Sequence, residues 1–185
     1  MFKKTLIFRQ RLIPIFLLLA AIVISSAYAA AQVTLKPNSL HYVRVSRVID
    51  GDTIDVTFKK GAPPERVRLI GVNTPETEYS PKGAEYYGKE ASDFTKTSLA
   101  KRDIWLQFDV GIRDKYQRLL AYVWMEKPHD MDNQEEIRGK MFNARLLLEG
   151  YAQTMTIQPN SRYAELFVRF QREAKTNNKG LWNKK

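Results

Sequence analysis

The chain has 185 residues, no cysteine, 44% hydrophobic content and a formal net charge of +10. That length and composition fit one folded domain and exclude a disordered polyelectrolyte. Without cysteine there is no disulfide framework and no thiolate metal site, so any metal is held by oxygen or by His41 and His129, and oxygen donors favour a hard cation such as calcium or magnesium.

Residues 1–31 read as a secretory signal peptide. Lys3, Lys4, Arg9 and Arg11 form a basic n-region, Leu12 to Ile24 is almost wholly apolar, and no acidic residue appears before Asp50. Ala27-Tyr28-Ala29 and Ala29-Ala30-Ala31 are small-x-small cleavage sites. The apolar stretch is short for a spanning helix, which needs about 20 apolar residues. Removing these four basic side chains leaves a mature net charge of about +6. A basic exported protein meets nucleic acid, anionic lipid or acidic cell-wall polymer, and charge alone does not choose among them.

Strands dominate the first half of the mature chain. His41 to Val48 is β-branched and aromatic, and Asp50-Gly51-Asp52 ends it. Thr53 to Phe58 alternates, with Ile54, Val56 and Phe58 on one face and Thr53, Asp55 and Thr57 on the other. Lys59 to Glu65, with Gly61, Pro63 and Pro64, is a hairpin loop. The return strand is Arg66 to Val72, with Val67 and Leu69 inward. Gly88 to Ala100 follows as a helix, and Asp103 to Val110 and Leu119 to Met125 are two more strands. Lys127 to Arg138, with Asp130, Asp132, Glu135 and Glu136, reads as a solvated acidic loop, and its spacing fits no EF-hand. Phe142 to Glu149 is a short helix stopped by Gly150. Tyr163, Leu166, Phe167, Phe170 and Ala174 mark the buried stripe of a last helix.

Three segments carry chemistry: Asp50-Gly51-Asp52-Thr53, the run Arg68 to Thr77, and Asp114-Lys115-Tyr116-Gln117-Arg118. Phosphodiester hydrolysis needs a hard cation held by oxygens, a base to orient or deprotonate water, and cationic side chains on the phosphate. Asp52, Asn73 and the Thr74 carbonyl supply metal ligands, and Glu76 supplies a base. Arg68 and Arg118 supply a clamp, to which the planar guanidinium fork is suited. Each segment alone has a structural reading: a hairpin turn, a helix cap with Pro75 in the first turn, and a solvated turn. Their order along one chain gives the chemical reading its weight.

From Tyr42 to Trp182 the chain resembles the thermonuclease, or staphylococcal nuclease-like, family. The likeness is carried by Val48-Ile49-Asp50-Gly51-Asp52-Thr53, Arg66-Val67-Arg68-Leu69, Asn73-Thr74-Pro75-Glu76-Thr77 and Asp114-Lys115-Tyr116-Gln117-Arg118-Leu119-Leu120-Ala121-Tyr122. It continues through Gly150-Tyr151-Ala152, Gln158-Pro159-Asn160 and Gly180-Leu181-Trp182. The resemblance implies an α+β domain over residues 40–185, a five-stranded OB-fold barrel with three α-helices. It also implies calcium (Ca2+) dependence and hydrolysis of DNA and RNA, single strands preferred, to 3′-phosphate products. By the same likeness Asp52 and Thr74 are metal ligands and Glu76 the base. Arg68 and Arg118 contact the scissile phosphate, and Lys115 with Tyr116 holds a neighbouring phosphate and sugar. The expected protein is an exported monomer with no stable membrane association once the signal is removed. A nucleic-acid-binding module without catalysis is the rival reading, and the retained Asp52, Arg68, Glu76 and Arg118 argue against it.

Two positions depart from the family pattern. Asn73 stands where the family often has aspartate, which removes a negative charge from the cage and lowers the expected calcium affinity. Thr154-Met155-Thr156-Ile157-Gln158 lacks the tyrosines that stack on the nucleotide in the family prototype, where the bond matching Gln158-Pro159 is cis.

Overall fold

The computed structural model describes residues 34–183, so the signal-peptide reading of residues 1–31 lies outside the described residues. Five strands close into a barrel in the order β1 (Leu40–Val48), β2 (Thr53–Thr57), β3 (Glu65–Leu69), β6 (Leu119–Trp124) and β5 (Asp103–Gln107). Its ladders are antiparallel except where β3 meets β6, in parallel register Val67↔Leu119 and Arg68↔Leu120. Alternation decides which side chains turn inward. Val43, Val45, Ile54, Val56, Val67, Leu69, Ile104, Leu106, Leu119 and Val123 are all buried, each worth about 1.5–3 kcal/mol relative to exposure. In β1 a register shift between Val45 and Arg47 turns Arg47 toward Asp55 of β2. Together with the helices this is the expected α+β OB-type barrel.

The return strand is shorter than its alternation predicts. Backbone pairing stops at Leu69, and Gly71 takes φ +80°, a conformation that favours glycine. A Cβ on Gly71 would also lie 2.6 Å from the Phe167 ring. The chain therefore swings out of the barrel, and β4 (Gly71–Asn73) pairs instead with β7 (Gln153–Met155). This turn delivers Asn73, Thr74 and Glu76 to the mouth beside β2 and β3.

Four α-helices occur among the described residues, one more than expected. Helix α1 (Gly88–Leu99) is tied to the mouth by the Thr95 hydroxyl, which donates to the Gly51 carbonyl at 2.7 Å. The additional helix is α2 (Gln134–Lys140), inside the stretch read as a loop. Asn133 caps it by accepting from the Glu135 and Glu136 amides, with those acids in the first turn and Arg138 and Lys140 in the last. Helix α3 (Phe142–Leu148) buries Asn143, whose amide donates to the Ile70 carbonyl and accepts from the Val123 amide, both at 2.8 Å. Helix α4 (Ala164–Thr176) covers the barrel with the predicted stripe, Tyr163, Leu166, Phe167, Phe170 and Ala174, all buried. The Gln158-Pro159 bond is cis.

Candidate active site

The site is built where β2 begins, β3 ends and β4 departs. In the β2–β3 ladder Thr53 faces Arg68, and the Leu69 amide donates to the Asp52 carbonyl at 2.9 Å. Gly51 is pressed against the turn after β4, since a Cβ there would lie 2.6 Å from the Thr74 side chain. That close approach brings three sequence-distant residues into bonding range. Asp52 Oδ1 accepts from Thr53 Oγ1 and pairs with Arg68 Nε, both at 3.1 Å. Its Oδ2 accepts from the Thr74 amide at 2.9 Å and from Thr74 Oγ1 at 3.2 Å.

Arg68 is fixed almost completely. Nη1 donates to the Leu69 and Val72 carbonyls at 2.6 and 2.8 Å, and Nη2 donates to Asn73 Oδ1 at 3.1 Å. Its side chain is 6% exposed. Burial pulls its pKa below the ordinary guanidinium range, Asp52 and Asp50 oppose that, and Arg118 adds to it. The group stays charged, because arginine does not deprotonate in proteins. Three of its five N–H donors are committed in hydrogen bonds, Nε lies in the ion pair with Asp52, and one N–H on Nη2 remains for a ligand.

Asp50 belongs to the same cluster. Its Oδ1 accepts from the Asp52 amide at 3.0 Å, and burial followed by repulsion from Asp52 raises its pKa to about 6. In the sequence Asp50 stands in the same chemistry-bearing segment, but only Asp52 is assigned there as a metal ligand. The spacing Asp-x-Asp across a glycine turn was the available signal. The donors at this mouth are the Asp50 and Asp52 carboxylates, the Asn73 amide oxygen and the Thr74 backbone. All are oxygen, with crowded negative charge that a cation relieves, so the set suits a hard divalent cation. No group of three or more His, Asp or Glu able to hold a metal occurs among the described residues. Such a cage therefore rests on two carboxylates and neutral oxygens. Asn73 Oδ1 already accepts from Arg68, and a carbonyl oxygen has a second lone pair to offer.

Glu76 and Arg118 lie within electrostatic reach of Arg68 but are bonded elsewhere. Glu76 Oε1 pairs with Lys82 Nζ at 3.2 Å. Burial would raise its pKa, but Lys82, Ser80 and Arg68 outweigh that and hold it below the ordinary range. Glu76 is thus ionised at neutral pH, as a base must be. Arg118 Nε donates to Asp114 Oδ2 at 2.7 Å, while Asp114 Oδ1 accepts from the Tyr116 and Arg118 amides. Asp114 therefore sets both the turn and the arginine, and the Asp-x-x-x-Arg spacing was its signal. Because Asp114 takes Nε, the Nη1 and Nη2 edge of Arg118 is left for a bidentate contact. Tyr116 is 67% exposed, with Lys115 Nζ 5.0 Å and Arg118 Cζ 5.5 Å from its ring centre. Asp52, Arg68, Asn73 and Thr74 thus form one bonded cluster, Glu76 and Arg118 border it, and Lys115 and Tyr116 sit on the turn beside Arg118.

Comparison with known proteins shows which proteins the chain is similar to. The profile of the family described as Staphylococcal nuclease homologue matches residues 66–184, more than half of the chain. The chain is 40% identical to the Thermonuclease of Staphylococcus hyicus over 140 residues, covering 76% of this chain and 75% of that protein. It is 41% identical to the Thermonuclease of Staphylococcus intermedius over 140 residues, with the same coverage of 76% and 75%. It is also 35% identical to Endonuclease YncB of Bacillus subtilis (strain 168) over 144 residues, covering 77% of this chain and 62% of that protein.

Proposed function

Because the chain belongs to the staphylococcal nuclease homologue family and is a nuclease, a phosphodiester hydrolase, we propose that it is an exported, calcium-dependent enzyme. Its proposed reaction is the cleavage of single-stranded DNA and RNA to 3′-phosphate ends. The observation that carries this reading is the buried, bonded Arg68 beside the Asp50 and Asp52 carboxylates, with Arg118 and Glu76 at the edge.

In this reading Asp50, Asp52, Asn73 and the Thr74 carbonyl hold calcium, which when bound offsets the charge that builds on the phosphate. Arg68 contributes a fixed positive charge and one N–H, already oriented by Asp52 and Asn73. Arg118 brings its terminal fork to two phosphate oxygens while Asp114 keeps its Nε. Glu76 accepts a hydrogen bond from the attacking water, with Lys82 keeping it ionised until substrate enters. Lys115 and Tyr116 hold the neighbouring phosphate and sugar. Export is read from residues 1–31, and N-terminal sequencing of protein recovered outside the cytoplasm should begin at Ala30 or Gln32.

The test is cleavage of a labelled single-stranded oligonucleotide with calcium and with chelator. Calcium-dependent scission leaving 3′-phosphate ends supports the proposal. Equal cleavage with chelator removes the metal assignment, and 5′-phosphate ends remove the assigned chemistry.

A further inference from the structure

Beside Arg118 the barrel wall carries an open groove lined by Arg47, Asp55, Pro64, Arg66, Tyr116, Gln117 and Arg118. Its volume of about 470 Å³ is in the range of small-ligand sites. Asp55 lies at its floor, its side chain 6% exposed between two arginines. Arg66 Nε donates to Asp55 Oδ1 at 2.9 Å, and Arg47 Nη2 and Nε donate to Oδ2 at 2.8 and 3.1 Å. The arginines themselves stay open to solvent, 66% for Arg47 and 45% for Arg66.

The arrangement does more than neutralise a carboxylate. One anion holds two cations, so a positive charge is left over, and the bonds to Asp55 use Nε and Nη2 of each guanidinium. The Nη1 groups remain outside those bonds, on side chains already fixed in place. Arg66 is one position before Val67, which pairs in parallel register with Leu119, so Arg66 of β3 lies level with Arg118, the residue just before β6. Such strands lie roughly 4.8 Å apart. Arg66 also feels the charge of Asp50, so the groove borders the reaction site electrostatically. The exposed Tyr116 ring at its rim offers a face to a base.

We propose that Arg47 and Arg66, seated on Asp55, form a flanking phosphate subsite that grips a single-stranded polynucleotide next to the bond cleaved. The inference rests on the nuclease reading and extends it. It gives the substrate grip a place on the β1–β2–β3 wall, in a chain that lacks tyrosines between Thr154 and Gln158.

The test compares a thymidylate dodecamer with a thymidylate dinucleotide. The variant is Arg47→Gln/Asp55→Asn/Arg66→Gln, in which no buried carboxylate is left unpaired. Arg66→Gln alone, with Arg47 still on Asp55, serves if the triple variant does not fold. The charge-loss control is Arg138→Gln, whose arginine pairs with Glu173 between α2 and α4. In the triple variant the ratio of kcat/KM for dodecamer over dinucleotide falls by about tenfold. The salt dependence of dodecamer binding in chelator becomes shallower by roughly 0.7 to 1.4 in log–log slope, one to two phosphate contacts. An unchanged ratio and slope overturns the subsite, as does the same change in Arg138→Gln. Loss of duplex binding with single-strand binding intact overturns the assigned substrate form. If the wild-type protein cleaves neither length, the nuclease reading fails, and the subsite is then judged by the salt slope alone.

Discussion

At position 73 the chain carries an amide that links two parts of the site, since its oxygen accepts from Arg68 and lies in the proposed cation cage. Asn73→Asp adds a negative charge to that cage and should lower the calcium concentration for half-maximal cleavage several-fold, because ligand charge tunes affinity. An unchanged requirement removes position 73 from the ligands. Asp55 makes a different prediction, concerning stability. Burial alone would raise its pKa, but hydrogen bonds and charge from Arg66 and Arg47 outweigh burial and hold it below the ordinary carboxylate range. A depressed folded-state pKa contributes stability above the unfolded value of about 3.9, and that contribution is lost as pH falls through the folded value. The stability gap between wild type and Asp55→Asn, measured by denaturant titration, should therefore be full near pH 6 and shrink below pH ~4. A gap that widens on acidification contradicts the pairing. This triad was hidden in the sequence, because a β1 register shift decides whether Arg47 meets Asp55. Asp52, Arg68, Glu76 and Arg118 stand out in the sequence because chemistry-bearing residues crowd into short motifs, and the direct bond among them that the structure adds is the Asp52–Arg68 ion pair.

Among the elements, the barrel strands and α4 were readable from periodicity, and the exceptions have local causes. The third strand was drawn too long because Val72 continues the apolar alternation, while the break comes from Gly71 and the Phe167 ring packed against it. Helix α2 was missed because it buries only Ile137 and so shows no apolar stripe. Its signal was the cap: Asn133→Ala should cost about 1 kcal/mol of unfolding free energy, and no loss contradicts the capping role. The start of α1 bears on function. A Cβ at Gly88 would overlap the Glu76 carbonyl oxygen, so Gly88→Ala must shift either the helix or the Glu76 segment. We expect a loss of about 1–3 kcal/mol together with reduced cleavage, read by thermal unfolding and by rate. A variant with wild-type stability and rate contradicts that packing.

For the whole molecule, the barrel works as a frame that brings three turns to one mouth. The β1–β2 turn carries Asp50 and Asp52, the exit from β3 carries Asn73 to Glu76, and the turn before β6 carries Asp114 to Arg118. The parallel contact of β3 with β6 sets Arg68 beside Leu120, two residues beyond Arg118, and closes the arrangement. The excess of basic residues, 30 against 20 acidic, then has a local use at Arg68, Arg118 and the Arg47–Arg66 pair. The most direct measurement of the central claim is the single-turnover rate of calcium-dependent cleavage of single-stranded DNA by wild type and Arg118→Ala. Removing one preorganised donor to a developing anion costs about 10²–10³ in rate, and a loss of that size with the folded state intact is the predicted result. A variant within threefold of wild type would contradict the assignment of Arg118 to the reacting phosphate.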